Sequence, residues 1–449
     1  MTTRLILKAA LVAIIVLPAA LLAQNVPAPD APQLAARGNF TVGVKRMTMV
    51  QHDQPDFLQI SAAGIPKGDR TVEVEIWYPA TPTGDAAPFT TYSNPTTTNP
   101  FIPLSKMPAV GTYTGQAARD AVPVHGQHFP LVVISHGFTN WADSFSYLGE
   151  NLASKGYVVA SIGHFDPDPY ATKGRDLAIG QVISRRTADQ RFVISELTKM
   201  ATQSGGLFSG VYDPANLALI GYSMGGFGAV TTAGAGYSKD SPIVKSPVGA
   251  LITPYTEGGS AETAASLPKL KALVLMAAWG AQPPYRSWTP SALASISAPS
   301  LIIDGDLDDV VDFQNGTKYL FDHLTHADRY LLVFENARHN IAINGAPKEL
   351  APYFPNNEHW NEPVWRQDRI EAINCHFITA FLDAKLKGDA VHGAFLNVPT
   401  PKSNDATWPA AANAYTGPEI ATADNPVTKN FWPGFQRRWA VGLELYHAQ

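Results

Sequence analysis

The chain has 449 residues and is 45% hydrophobic, enough to fill a sizeable core, which excludes intrinsic disorder. Charged residues are 16% of the total, and 33 Lys+Arg against 38 Asp+Glu give a formal charge of −5. No basic field exists to hold a phosphate backbone, so nucleic acid is not an expected partner. The one cysteine, Cys375, excludes an intrachain disulfide, and no CxxC or HxxxH spacing is available to bind a structural zinc.

Arg4 and Lys8 precede an apolar run from Ala9 to Ala23, interrupted by Pro18. This pattern predicts an export signal over 1–23 and a periplasmic or extracellular protein; retention of the segment as an anchor is the alternative. No cysteine follows the run to carry a lipid. The Pro- and Ala-rich stretch 24–38 reads as a linker, 39–394 as the main folded domain and 395–449 as a C-terminal extension.

Thr71–Trp77 alternates apolar and polar side chains and predicts a half-exposed strand near one end of a sheet. Leu131–Ile134, Tyr157–Ile162, Leu217–Ile220, Leu273–Met276, Leu301–Ile303 and Tyr330–Phe334 are continuous apolar runs, as expected of parallel strands covered on both faces. Helical patterns over Phe145–Lys155, Arg185–Met200 and Gly226–Ala235 supply the crossovers. The fold class is therefore α/β, with a central, mostly parallel sheet flanked by helices. Pro79–Gly126 and His339–Trp365 lack this alternation and read as rim loops or a partial lid. The tail also lacks periodicity. Its rings Trp408, Tyr415, Phe431, Trp432, Phe435, Trp439 and Tyr446 predict docking onto the domain.

Gly221-Tyr222-Ser223-Met224-Gly225 lies between an apolar strand and a helical run. Such a turn needs glycine neighbours because its backbone is strained, and it exposes the serine hydroxyl at the C-terminal edge of the sheet. The Met224 N–H, at the start of the helix, is positioned to bind an oxyanion. A serine nucleophile requires a base and an acid to orient that base. Asp304, Asp306, Asp308 and Asp309 end the strand from Leu301, and His339 ends the strand from Tyr330. His339 is the expected base, ahead of His323 and His326 on a helical stretch and His359 in the rim; the acid is open among the loop aspartates. His164, Asp166 and Asp168 also end a strand at this edge, but they lack the six or more oxygens that a hard cation needs.

The elbow, together with Ile76-Trp77-Tyr78-Pro79, Phe129 to Phe138, Leu152 to Ala160 and Arg186-Thr-Ala-Asp189-Gln-Arg191-Phe192-Val193, resembles the α/β-hydrolase superfamily over roughly 42–387. The bacterial branch similar to dienelactone hydrolases and platelet-activating-factor acetylhydrolases is nearest, although dienelactone hydrolases proper carry cysteine at the elbow. The resemblance implies an α/β-hydrolase fold with rim insertions and a docked tail. The loop from Asp304 to Val311 is similar to the acid loop of cutinase-like polyester hydrolases, which implies Asp308 as the triad acid. It also implies the Phe138 N–H as the second oxyanion donor, His136 as a structural residue beneath that loop, and Trp279 in the acyl or leaving-group pocket. The expected activity is that of a serine esterase on hydrophobic or aromatic esters, working through an acyl-enzyme without cofactor or metal. The alternatives are an amidase, peptidase or thioesterase with the same triad, or a non-catalytic binding protein on this fold.

Overall fold

A computed structural model describes residues 27–82, 90–97, 102, 104–170, 174–263, 267–406, 432–436 and 439–449. The expected signal segment lies outside them, as do Trp408, Tyr415 and Phe431. The strands are β1 Thr41–Pro55, β2 Lys67–Ala80, β3 Thr90–Pro95, β4 Val110–Gly115, β5 Ala118–Arg119, β6 Phe129–Ser135, β7 Val158–Gly163, β8 Tyr212–Tyr222, β9 Ala272–Met276, β10 Ser300–Gly305, β11 Arg329–Phe334 and β12 Leu443–Ala448. Ten of them form one sheet in the order β12-β11-β10-β9-β8-β6-β7-β2-β1-β5. Strands β6 to β11 run parallel, and β2 and β12 pair antiparallel to their neighbours.

The apolar runs form parallel strands because both faces of the sheet are covered. Leu131 and Val133 join one core and Val132 and Ile134 the other, each fully buried. Helix α1, Ser146–Ser154, and the helix Gln367–Leu382 lie over the second core. Helices α2, Arg175–Thr202, and α3, Met224–Thr232, cover the first. Helix α2 begins ten residues before the expected start at Arg185, because its N-terminal residues Ala178, Val182 and Ile183 also bury apolar surface.

Three expectations change. Thr71–Trp77 is exposed on alternate residues only at its start; Val74 to Ala80 are buried, and the polar position Glu75 is buried as well, accepting bonds from Arg46 at 2.7 Å and from Arg119. Two guanidinium groups satisfy the carboxylate that the alternation pattern placed in solvent. The expected linker is docked from Pro27 onward: Leu34 is buried, its N–H donating to His376 Nδ1 at 3.2 Å, and Gln33 N–H donates to Gly434 O at 2.8 Å. In the tail, Trp432 and Phe435 bury their rings against Phe377, while β12 extends the sheet itself by pairing Leu443 to Ala448 with β11. An edge strand of six residues has too few apolar positions to stand out in an aperiodic segment.

The first rim stretch contains the β3–β4 hairpin, which packs Tyr113 on Trp141 with ring centroids 6.1 Å apart; Trp360 of the second rim stretch packs on Trp141 at 4.8 Å. Asparagines fasten the second stretch. Asn340 donates to the Glu358 and Asn361 carbonyls, and Asn344 to Asp143 O and Ser146 Oγ. Among the described residues, no helix is long and apolar enough to cross a membrane.

Candidate active site

Ser223 sits between β8 and α3 with φ 49° and ψ −116°, a conformation that costs a side-chain-bearing residue on the order of 1–3 kcal/mol. Its surroundings leave no room to relax. A Cβ on Gly226 would meet Ala278 Cβ at 2.6 Å, and one on Gly225 would collide with the Ser135 carbonyl of β6. The turn is also tied to the next strand: Ser223 N–H donates to Met276 O at 2.9 Å, and Trp279 N–H donates to Ser223 O at 3.0 Å. The hydroxyl is thus held at the C-terminal edge of the sheet, where the loops after β10 and β11 converge on it.

Ser223 Oγ lies 3.0 Å from His339 Nε2, and His339 Nδ1 lies 2.6 Å from Asp308 Oδ2. The Asp308 side chain is fully buried, and its other oxygen accepts the Val310 and Val311 N–H groups at 2.7 and 3.0 Å. Burial alone would raise this carboxyl. The charge and hydrogen bond of His339 and the Val311 N–H outweigh it and hold Asp308 below the usual carboxylate range. Asp304 goes the other way: burial and the Asp308 charge push it well up, and it bonds the Gly305 N–H and Thr317 Oγ1. Asp306 accepts the Asn336 N–H at 2.6 Å and Asp309 pairs with Arg338. Of the loop acids, Asp308 is the one that reaches the imidazole. Of the other histidines, His323 bonds the Tyr319 carbonyl at 2.8 Å, and His359 Nε2 lies 3.5 Å from Thr139 Oγ1, on the rim side of the Phe138 loop.

Met224 is the first residue of α3, and Phe138 lies in the loop after β6, whose end pairs with that of β8 through Ser135 and Gly221. Trp279 packs its ring on Phe227 at 5.5 Å and on Tyr285 at 5.2 Å. With Ile183, Ile243, Val248, Tyr285 and Val310, it lines an apolar cavity of about 680 Å³. The contribution of α2 and of the segment around Ile243 to this cavity was not visible in the sequence, because these residues lie far from Trp279 in the chain and meet it only in the fold.

The acids and histidine at the end of β7 pair within the protein. Asp166 pairs with Arg186, and His164 bridges Ser135 Oγ and Asp189 Oδ2, each at 2.8 Å. Elsewhere among the described residues, Asp383, Asp389 and His392 bring ligand atoms within 4.8 Å of one another, but Lys387 neutralises Asp383 at 2.8 Å and Asp389 caps a helix through Val391 N–H.

These buried groups predict an acid limit to stability. Burial, aided by Arg186, lowers His164 to about 4, and burial lowers His136 to about 3. Asp166 and Asp189 stay below the usual range because Arg186 and Arg70 outweigh their burial. A depressed carboxylate contributes stability that is present above its unfolded pKa and lost as pH falls toward the folded one; a neutral buried histidine acts with the same sign. Between pH 4 and 7 the histidines are opposed by Asp143 and Glu371, which burial raises to about 6 and about 7, so that protons stabilise the folded state there. The melting temperature should therefore change little from pH 7 to 5 and drop steeply below about pH 4, where Asp143 and Glu371 no longer oppose the loss. Calorimetry checks this, and a melting temperature that holds to pH 3 would show that these groups titrate normally.

A family profile described as platelet-activating factor acetylhydrolase, isoform II, matches residues 30–184. Cutinase est1 of Thermobifida alba is 25% identical over 232 residues, which are 51% of this chain and 60% of the relative. Bis(hydroxyethyl) terephthalate hydrolase of Streptomyces coelicolor is 26% identical over 227 residues, 50% of this chain and 54% of the relative. The matched region thus spans little more than half of each relative's length. A solved structure of a ferulic acid esterase from Streptomyces cinnamoneus superposes with a TM-score of 0.50 at 19% identity, covering 80% of this chain and 94% of that one, and shares the fold. Sheet order, elbow and matched relatives converge: the chain has an α/β-hydrolase fold and is similar to platelet-activating-factor acetylhydrolases and cutinases.

Proposed function

We propose that the protein is an exported serine hydrolase that cleaves carboxylic esters through an acyl-enzyme. The reading rests on one observation, the continuous relay from Ser223 Oγ through His339 to a buried Asp308 at a strained strand-to-helix turn. In this mechanism His339 Nε2 takes the hydroxyl proton as Ser223 attacks the ester carbonyl. The N–H groups of Phe138 and Met224 bind the oxyanion, and collapse of the intermediate expels the alcohol with the proton returned by His339. Water then repeats the sequence on the acyl-enzyme. Asp308 keeps the imidazole in the tautomer whose Nε2 is free to accept. No cofactor or metal is called for. Export rests on the charged and apolar pattern of residues 1–23.

The names of the matched relatives, cutinases and a hydrolase of a terephthalate ester, support ester substrates. The cavity beside Trp279 supports an apolar or aromatic acyl or alcohol group, since aliphatic and aromatic side chains make up most of its walls, with Arg175 and Asp176 as the charged residues in the lining. A panel of p-nitrophenyl esters of increasing acyl length, run beside a matched anilide, tests both points. Esters should be cleaved much faster than the anilide, and Trp279→Ala should raise KM about 10-fold for the preferred apolar acyl group while leaving the acetate nearly unchanged. Preference for the anilide would move the assignment to an amidase with the same triad.

A further inference from the structure

The Arg186–Val193 segment of α2 plays no part in the relay, yet two of its side chains, Arg186 and Gln190, reach the segments that present the oxyanion donors. A peptide unit is planar and trans, so its C=O and N–H point in opposite directions. The N–H of Phe138 therefore shares a plane with the carbonyl of Gly137. That carbonyl accepts from His136 Nδ1 at 2.7 Å and from Arg186 Nη2 at 3.2 Å. With both donors on the oxygen, the Phe138 N–H must face the other way. The next peptide is held too, its Thr139 N–H donating to Asp166 Oδ2 at 2.8 Å, which keeps Thr139 at φ 60°.

Arg186 and Asp166 form a fork, Nη1 to Oδ1 at 2.7 Å and Nη2 to Oδ2 at 2.6 Å, with side chains 0% and 3% exposed. Such a bidentate pair fixes direction as well as charge. His136 is anchored in turn, its Nε2 accepting the His164 N–H at 3.2 Å. Four residues along α2 from Arg186, Gln190 donates to the Gly225 carbonyl in the first turn of α3 at 2.8 Å. Gly228 allows this approach, since a Cβ there would meet Gln190 Nε2 at 2.7 Å and Arg186 Cβ at 2.9 Å. One helix thereby sets the register between the loop carrying Phe138 and the elbow carrying Met224.

We infer that Arg186 and Asp166 are positioning residues that lock the Gly137–Phe138 peptide in the orientation that offers its N–H to the oxyanion. Gly137 lacks the side chain that would otherwise resist a flip of this peptide, so the orientation depends on the bonds to its carbonyl. The inference rests on the ester-hydrolase reading above.

The test uses Arg186→Lys, which keeps the charge but loses the fork, and the double variant Arg186→Gln/Asp166→Asn, which removes both charges together. Three quantities are measured: kcat, KM, and the Ki of a trifluoromethyl ketone, whose adduct with Ser223 places an oxyanion between the two donors. One such donor is worth about 10²-fold to 10³-fold in rate, and His136 still holds the carbonyl. The double variant should therefore lose about 10-fold to 100-fold in kcat, with KM within threefold and Ki raised by the same factor as kcat falls. Arg186→Lys should lie between it and wild type, and carries the same readouts if the double variant fails to fold. A folded variant with kcat and Ki within threefold of wild type overturns the lock, as does a rise in KM with kcat and Ki unchanged. A wild-type protein that neither hydrolyses the ester nor binds the ketone overturns the ester-hydrolase reading, and the lock with it.

Discussion

Ser223→Ala is expected to lose ester hydrolysis by about 10⁶-fold, because the serine and its base act as a unit and the loss of either removes nearly the whole contribution of the triad. What remains, on the order of 10³-fold to 10⁴-fold over water, comes from the oxyanion donors and substrate binding. The fold should not suffer. Ser223 Oγ bonds His339 and is not needed by the turn, whose geometry is set by backbone bonds to Met276 and Trp279. Alanine would keep the strained φ of 49°, whereas Ser223→Gly, equally inactive, would relieve it and raise stability by about 1 kcal/mol. Turnover assays with thermal melts on both variants check the pair of expectations. Activity within tenfold of wild type in Ser223→Ala would remove the nucleophile assignment. A less stable Ser223→Gly would remove the claim that the turn stores strain.

The parts of this molecule legible in the sequence are those with short-range causes. Strands covered on both faces must be apolar throughout, so β6 to β11 announced themselves, and the elbow did so because close backbone approach admits only glycine two positions to either side of the serine. His339 was legible from its place after β11. Asp308 was separated from its neighbours only by resemblance, since four aspartates within six residues look alike until the loop folds and gives each its own partner. Long-range pairing left no trace. Glu75 sat at a polar position of an alternating strand, and Arg186 was noted only as part of a resembling segment, yet each is buried against a charge brought in from elsewhere in the chain. The strand β12 was hidden for the same reason, since what defines it is the unfilled edge of β11, whose Phe334 lies 109 positions before its partner Leu443.

Asp308→Asn should lower turnover by about 10⁴-fold, and the cause is the tautomer as much as the charge. An asparagine amide nitrogen beside His339 Nδ1 donates where the carboxylate accepted, which forces the ring proton onto Nε2, 3.0 Å from Ser223 Oγ. That nitrogen can then no longer take the serine proton, and the positive charge on the ring in the transition state loses its counter-charge. Asp304 cannot substitute. Removing the Asp308 charge makes it easier to ionise, but its oxygens face Thr317 and the Gly305 N–H rather than the imidazole. Asp304→Asn should accordingly keep activity within tenfold, because the amide oxygen can still accept from the Gly305 N–H or the Thr317 hydroxyl. Asp306→Asn should cost less than threefold, its backbone partner Asn336 N–H being served equally well by an amide oxygen. Steady-state kinetics on the three variants rank the acids directly, and a larger loss at Asp304 or Asp306 than at Asp308 would transfer the orienting role to that residue.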